Sequence, residues 1–243
     1  MKMLTLSLRN TKEIARDPLN IVFGVGFPII LLLLLSAIQA NVPVELFAIE
    51  RLAPGISIFG LSFMTLFSAT LISRDRESAL LTRLYSAPLS ARDFILGYLL
   101  PMLPLSLLQS VVCYLVAFLL GMKMTPKVLL ALLLIIPCAL FFISLGLLFG
   151  SILGVKQVGG ICGALLTNLS AWLSGVWFDL DLVGGGFKTV ANLFPFVHAV
   201  ELERAVISGE YGDIWIHLLV VAGYAILTTV AAIALFVRQM KKK

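Results

Sequence analysis

The sequence predicts an all-α integral membrane protein, on three observations: composition, apolar windows and the placement of cations. Hydrophobic residues make up 60% of the 243 residues and charged residues 13%, against a soluble usage of about 45–50% and about 25%. Six windows reach the roughly 20 apolar residues that a helix needs to cross hydrocarbon: Ile21–Ala40, Leu52–Ile72, Phe94–Leu120, Val128–Gly150, Gln157–Phe178 and Ile214–Val237. The loops between them are short, so residues 1–243 read as a single membrane domain, with no soluble catalytic domain left over. With the N-terminus inside, 13 of the 18 Lys and Arg residues fall on the cytoplasmic side, which is where short loops retain them. Both termini are therefore expected in the cytoplasm.

Before the first window, Leu4, Leu8, Thr11 and Ala15 share one side of a helical wheel. Lys2, Arg9, Glu13 and Arg16 share the other, with Leu6 as an exception. This pattern predicts an amphipathic helix lying on the inner leaflet. A cleaved signal peptide is disfavoured, because the apolar run that follows exceeds the 7–15 residues of such a segment. Between windows two and three, Arg74-Asp75-Arg76-Glu77-Ser78-Ala79-Leu80-Leu81-Thr82-Arg83-Leu84 reads as a short helix with an apolar face from Leu80, Leu81, Leu84 and Tyr85. Pro88 stops it, and Ser90 to Asp93 reads as a capping box opening the third span, with Leu89 and Phe94 as its staple. The local pattern fits equally a solvated loop whose arginines hold the topology and a surface that meets a soluble partner.

Gly146, Gly150 and Gly154 follow one another at intervals of four, and Gly159 and Gly163 repeat the spacing. This is a helix-packing signal, within one chain or between two. The last loop, Asp179 to Gly212, contains the apolar run Thr189–Val200, which is too short to cross and is divided by Pro195. It predicts either a re-entrant or an interfacial segment. Trp172, Trp177, Tyr211 and Trp215 are expected at the outer headgroup level.

Several chemistries are disfavoured. No window carries a Lys, Arg, Asp or Glu in its central turns, where ion-coupled transporters place them. Uncharged polar residues (Thr65, Ser68, Thr70, Gln109, Ser110, Thr167, Asn168 and Ser170) are available for hydrogen bonds between helices or, together, for lining a solute path. Cys113, Cys138 and Cys162 lie in separate windows and read as buried small hydrophobes. His198 and Glu201, three apart, lack the further ligands that a metal site needs. No phosphate-binding loop is present; Gly184-Gly185-Gly186 reads as a flexible turn. The net charge of +5 is spread over separate loops and does not point to nucleic acid.

The run Arg74 to Tyr98, with its Leu-x-x-Leu core, Ser86-Ala87-Pro88-Leu89-Ser90 turn and closing Ile95-Leu96-Gly97, resembles the signature of ABC type-2 transporter permeases of the drug- and lipid-exporting kind. A second segment, Leu193-Phe194-Pro195-Phe196-Val197-His198-Ala199-Val200-Glu201 through Arg204 and Gly209, resembles the stretch these permeases carry before their last span. The resemblance implies a half-transporter without its own ATPase site. ATP and Mg would be bound by a separate ATP-binding subunit, and a second permease chain, identical or different, would complete the pore. It implies a coupling helix at Arg74, Arg76, Glu77, Leu80, Leu81, Arg83 and Leu84, docked on that subunit. It also implies an external gate around Phe194, Pro195, Phe196, His198 and Glu201, and residence in a prokaryotic cytoplasmic membrane. The cargo class expected is a drug, antibiotic or lipid. A secondary transporter or channel, and then a membrane enzyme, are the alternatives.

Overall fold

A computed structural model describes residues 2–42, 47–78 and 90–241, which contain helices and turns and no strand. Five helical segments are long and apolar enough to cross a membrane: Val22–Gln39, Ile49–Glu77, Arg92–Leu119, Lys127–Ile152 and Ile214–Arg238.

The first helix, α1 (Lys2–Arg16), has three faces where the sequence suggested two. Leu4 and Leu8 are exposed, whereas Leu6, Asn10 and Ile14 are buried. Leu6, the exception on the wheel, fits over Gly97, where an added Cβ would lie 2.6 Å from its methyl group. Asn10 Nδ2 donates to the Gly97 carbonyl at 3.0 Å. A short α2 (Pro18–Ile21) and a π-helical turn, Val22–Gly26, then lead into α3 (Phe27–Gln39).

The centre of the bundle is α4 (Ile49–Glu77). Its most apolar window is 89% buried within the chain, compared with 17% for Val22–Gln39 and 22% for Ile214–Arg238, which places those two helices at the periphery. Helix α4 packs against α5 (Ala91–Leu119) and most extensively against α6 (Lys127–Ile152). The closeness of that second contact follows from glycine. A Cβ at Gly146 would lie 2.3 Å from the Thr65 carbonyl oxygen, and one at Gly150 would lie 2.5 Å from that of Ala69. Because the obstacles are backbone, only glycine permits the approach. Thr65 Oγ1 donates to the Phe142 carbonyl at 2.8 Å, and the Ser68 hydroxyl lies 3.1 Å from that of Ile143, so polar bonds reinforce the same seam. Gly154 lies beyond it, in the turn after α6. The repeat at Gly159 and Gly163 makes no such approach, since Gly159 has open space and Gly163 meets Leu66 at an ordinary 3.4 Å.

The window Gln157–Phe178 does not form one regular helix. It is built from α7 (Val155–Val158), a π-helical stretch Gly159–Leu166 and α8 (Thr167–Leu173), ending in turns. Gly159, Gly160 and Gly163 weaken the regular ladder there, and the widened π turn takes its place. Beyond the turns come α9 (Leu180–Val183), α10 (Gly185–Leu193), α11 (Pro195–Ser208) and α12 (Ile214–Lys241). Gly184 and Gly185 both have positive φ, 62° and 53°, which sets the angle between α9 and α10.

All three cysteines are free and buried, as the sequence suggested. Trp172, Tyr211 and Trp215 are exposed, whereas Trp177 packs edge-on to Phe59 at 5.5 Å.

Candidate coupling site

At one end of the bundle, the charged segment begins as the last turn of α4 rather than as a separate helix. Arg74 and Arg76 lie where a helix C-terminus favours cations. Between them, Asp75 is 1% exposed. It is compensated by Arg9, whose two terminal nitrogens reach both of its carboxylate oxygens, one at 2.7 Å, and by the Tyr98 hydroxyl, which donates to Oδ2. Three elements therefore meet on one carboxylate: α1, α4 and α5. Arg9 also pairs with Glu13 at 2.6 Å. Burial works against the charge on Arg9, but its hydrogen bond to Asp75 and the charges of Asp75 and Glu13 prevail and raise its pKa. Burial pushes the Glu13 carboxyl up, and the neighbouring Arg9 pulls against it.

The other charged residues of that turn also have partners within the chain. Arg74 pairs with Asp17 at 3.3 Å. Arg76 donates from both terminal nitrogens to the carbonyls of Ser151 and Leu153, groups that the C-terminus of α6 leaves unpaired. Glu77 Oε1 accepts from the Val155 backbone N–H at 2.9 Å, at the start of α7. The end of α4 is thus tied to α1, α5, α6 and α7. Leu80, Leu81, Arg83 and Leu84 lie outside the described residues, as do Pro88 and Leu89. The Ser90–Asp93 capping box is present, with Ser90 Oγ accepting from the Asp93 N–H at 3.2 Å and Asp93 Oδ2 accepting from the Ser90 N–H at 3.1 Å.

At the opposite end, α10 and α11 form a broken pair. Phe194 is the extended residue between them, and Pro195 opens α11 with its φ suited to the first turn. Phe196 is buried against Phe141 and Phe142, with centroids 5.9 and 6.0 Å away. His198 Nε2 lies 3.0 Å from the Asn192 carbonyl, which requires it to donate and leaves Nδ1 as the acceptor; His217 Nδ1, 2.9 Å away, is then the donor. This pair joins α11 to α12. Glu201 pairs with Arg204 at 2.8 Å. Arg204 also donates to the carbonyls of Arg51 at 3.3 Å and Gly175 at 3.0 Å, so it gathers α4 and the turn after α8 onto α11. Among the described residues no group of three or more His, Cys, Asp or Glu side chains is placed to hold a metal.

Sequence reasoning did not single out Asp75, Arg9 with Tyr98, His217, Arg204 or Glu203 as site residues. Glu203 left a readable trace. It falls on the buried stripe Phe196, Ala199, Val200, Val206 and Ile207 of α11, where a carboxylate is out of place. It is fully buried, its Oε2 accepts from Tyr114 at 2.7 Å, and its Oε1 has no partner among the described residues. Burial pushes the carboxyl up to about 8, against the lowering effect of the Tyr114 bond. Some polar residues of the windows join helices, Thr65 and Ser68 bonding to α6 and Gln109 Nε2 reaching the Ser57 carbonyl on α4, whereas Thr167, Asn168 and Ser170 bond within their own helical stretch.

Residues 1–207 match the family model described as ABC-2 type transporter. Nodulation protein J of Bradyrhizobium diazoefficiens is 27% identical over 228 residues, covering 92% of this chain and 84% of that protein. The match over most of its length makes this chain, a bundle of apolar helices, a member of the ABC-2 type transporter family, the transmembrane subunits of ABC transporters.

Proposed function

We propose that the chain is the permease subunit of an exporter driven by ATP hydrolysis in a separate subunit, moving a hydrophobic or amphipathic cargo such as a drug, an antibiotic or a lipid. ATP and Mg belong to that partner, and a second permease chain, identical or different, forms the other half of the pathway. The subunit lies in the cytoplasmic membrane with both termini inside, and the chain from Arg74 through Arg76, Glu77, Leu80, Leu81, Arg83 and Leu84 docks on the ATPase. The re-entrant pair α10 and α11, with Phe194, Pro195, Phe196, His198 and Glu201, forms the outer gate.

The observation that carries this reading is the bonding of the end of α4 to four other helices. A push delivered just beyond Glu77 cannot move α4 alone. It shifts α1 and α5 through Asp75, and the junction of α6 and α7 through Arg76 and Glu77. The central helix then carries the displacement to Arg204 and the gate.

Affinity purification of the chain from its native membrane, with ATP hydrolysis assayed on what accompanies it, tests the proposal. The expected result is a stoichiometric ATPase that is lost with Leu81→Asp and uncoupled from transport with Glu77→Lys. Consistent absence of an ATPase from an intact preparation would overturn the proposal and favour ATP-independent transport.

A further inference from the structure

A cleft of about 810 Å³ opens between α1, the turn into α2 and the end of α4, lined by Leu8, Lys12, Arg16, Asp17, Pro18 and Arg74 among others. Its charges are unevenly paired. Arg9 is engaged by Asp75 and Glu13, and Arg74 by Asp17. Lys12 and Arg16 have no carboxylate within ion-pairing distance among the described residues, and both are exposed. They stand four residues apart on one helix, a like-charge spacing that costs energy unless an anion lies between them. Taken together, the four cations Arg9, Lys12, Arg16 and Arg74 face the three carboxylates Glu13, Asp17 and Asp75, leaving one positive charge uncompensated.

The apolar surroundings indicate where such an anion comes from. Leu4 and Leu8 are 56% and 62% exposed on the side of α1 next to this cationic stripe, and Ile21, Val22 and Phe23 are exposed just beyond Pro18. A water-soluble anion gains nothing from these side chains. A lipid does, because its chains can lie along the leucines while its phosphate reaches the cations, and basic residues at a membrane surface attract anionic headgroups. We propose that this cleft binds the phosphodiester headgroup of an anionic phospholipid of the leaflet on which α1 lies, with Lys12 and Arg16 clasping the phosphate. The bound lipid would fix α1 against the bundle beside the Arg9–Asp75 bond and so steady the elements that meet there. The inference needs α1 to lie on a membrane but not the presence of an ATPase, so its failure leaves the transport reading intact.

The test uses the full chain, purified in mild detergent, with native mass spectrometry of the lipid it retains from equal phosphatidylglycerol and phosphatidylcholine. The wild type is expected to prefer phosphatidylglycerol by roughly tenfold, which corresponds to about 1.4 kcal/mol. Lys12→Gln with Arg16→Gln should bring the two lipids close to parity, while Lys156→Gln, a surface cation elsewhere, should leave the preference in place. Equal retention of both lipids by the wild type would overturn the proposal, as would an equal loss of preference in Lys156→Gln. Displacement of the lipid by millimolar inorganic phosphate would show a site for free anions and would also overturn it. If the wild type shows no lipid preference but the double variant loses its ATPase, the cleft belongs to a protein partner.

Discussion

Asp75 and Glu203 are both carboxylates closed off from solvent, and the two ends of the bundle keep them in opposite ways. Asp75 is met by a guanidinium and a hydroxyl and holds three helices together through an ion pair. Glu203 has one hydroxyl for company and an oxygen with no partner among the described residues, and burial favours its protonated form. Pulling α1 away would strand a buried charge, a change that costs several kcal/mol. Pulling α11 away would expose a neutral acid, which loses one hydrogen bond and is then free to ionise in water. By this measure, separating the Glu203 end costs less than separating the Asp75 end.

The largest test of that contrast bears on the seam both ends depend on. Gly146→Ala should destabilise the chain by about 3 kcal/mol, at the upper end of the usual range for overpacking, because the new methyl meets backbone that cannot rotate aside. Gly159→Ala, which has open space around it, should change stability by less than about 1 kcal/mol. Chemical unfolding in detergent measures both, and similar values for the two variants would mean that the glycine seam does not set the spacing of α4 and α6. Next in size is Asp75→Asn, expected to cost about 2 kcal/mol, less than a fully buried pair because Arg9 is partly exposed. Tyr98→Phe should cost about 1 kcal/mol, and the two together less than their sum, since they share one site.

The Glu203 end predicts a dependence on pH. In the unfolded chain this carboxyl ionises near 4.5, whereas in the fold it keeps its proton up to about 8. The folded state therefore holds an extra proton between these values, and its contribution to stability falls as pH rises through that window. Thermal unfolding compared near the two limits should show the decline in the wild type and a flatter profile in Glu203→Gln. An unchanged slope in the variant would remove Glu203 as its source. The smallest effect expected is that of His198→Ala, about 1 kcal/mol, from loss of the bond that joins α11 to α12.

How much of this could be read in advance depended on the range of the interaction. The apolar windows of α4, α5, α6 and α12, the amphipathic α1 and the capping box at Ser90 are written in local periodicity and spacing, and each is present. The π-helical stretch was not legible, because an apolar window gives hydropathy without the hydrogen-bond register, and Gly159 and Gly163 read as packing residues. The bonds of Asp75 to Arg9 and of His198 to His217 span 66 and 19 residues. No local pattern encodes such partners, although the wheel exception at Leu6 and the misplaced charge at Glu203 each marked a buried contact. Arg74, Arg76 and Glu77 were legible as a charged cluster, whereas their partners on α1, α6 and α7 were not.

The contact of α1 with Gly97 has a consequence for how the protein is made. Asn10 must wait for a carbonyl 87 residues further along the chain, which at about 5–20 residues per second means a delay of roughly 5–20 s during synthesis. Until then α1 lacks the Gly97 socket, and for the first 66 residues of that wait Arg9 lacks Asp75 as well. The surface at hand is the bilayer, and a newborn segment resting there by its leucines is held close to where α5 will later arrive. On the proposed placement of α1 at the membrane surface, the order of manufacture makes the lipid its first companion and the protein its second.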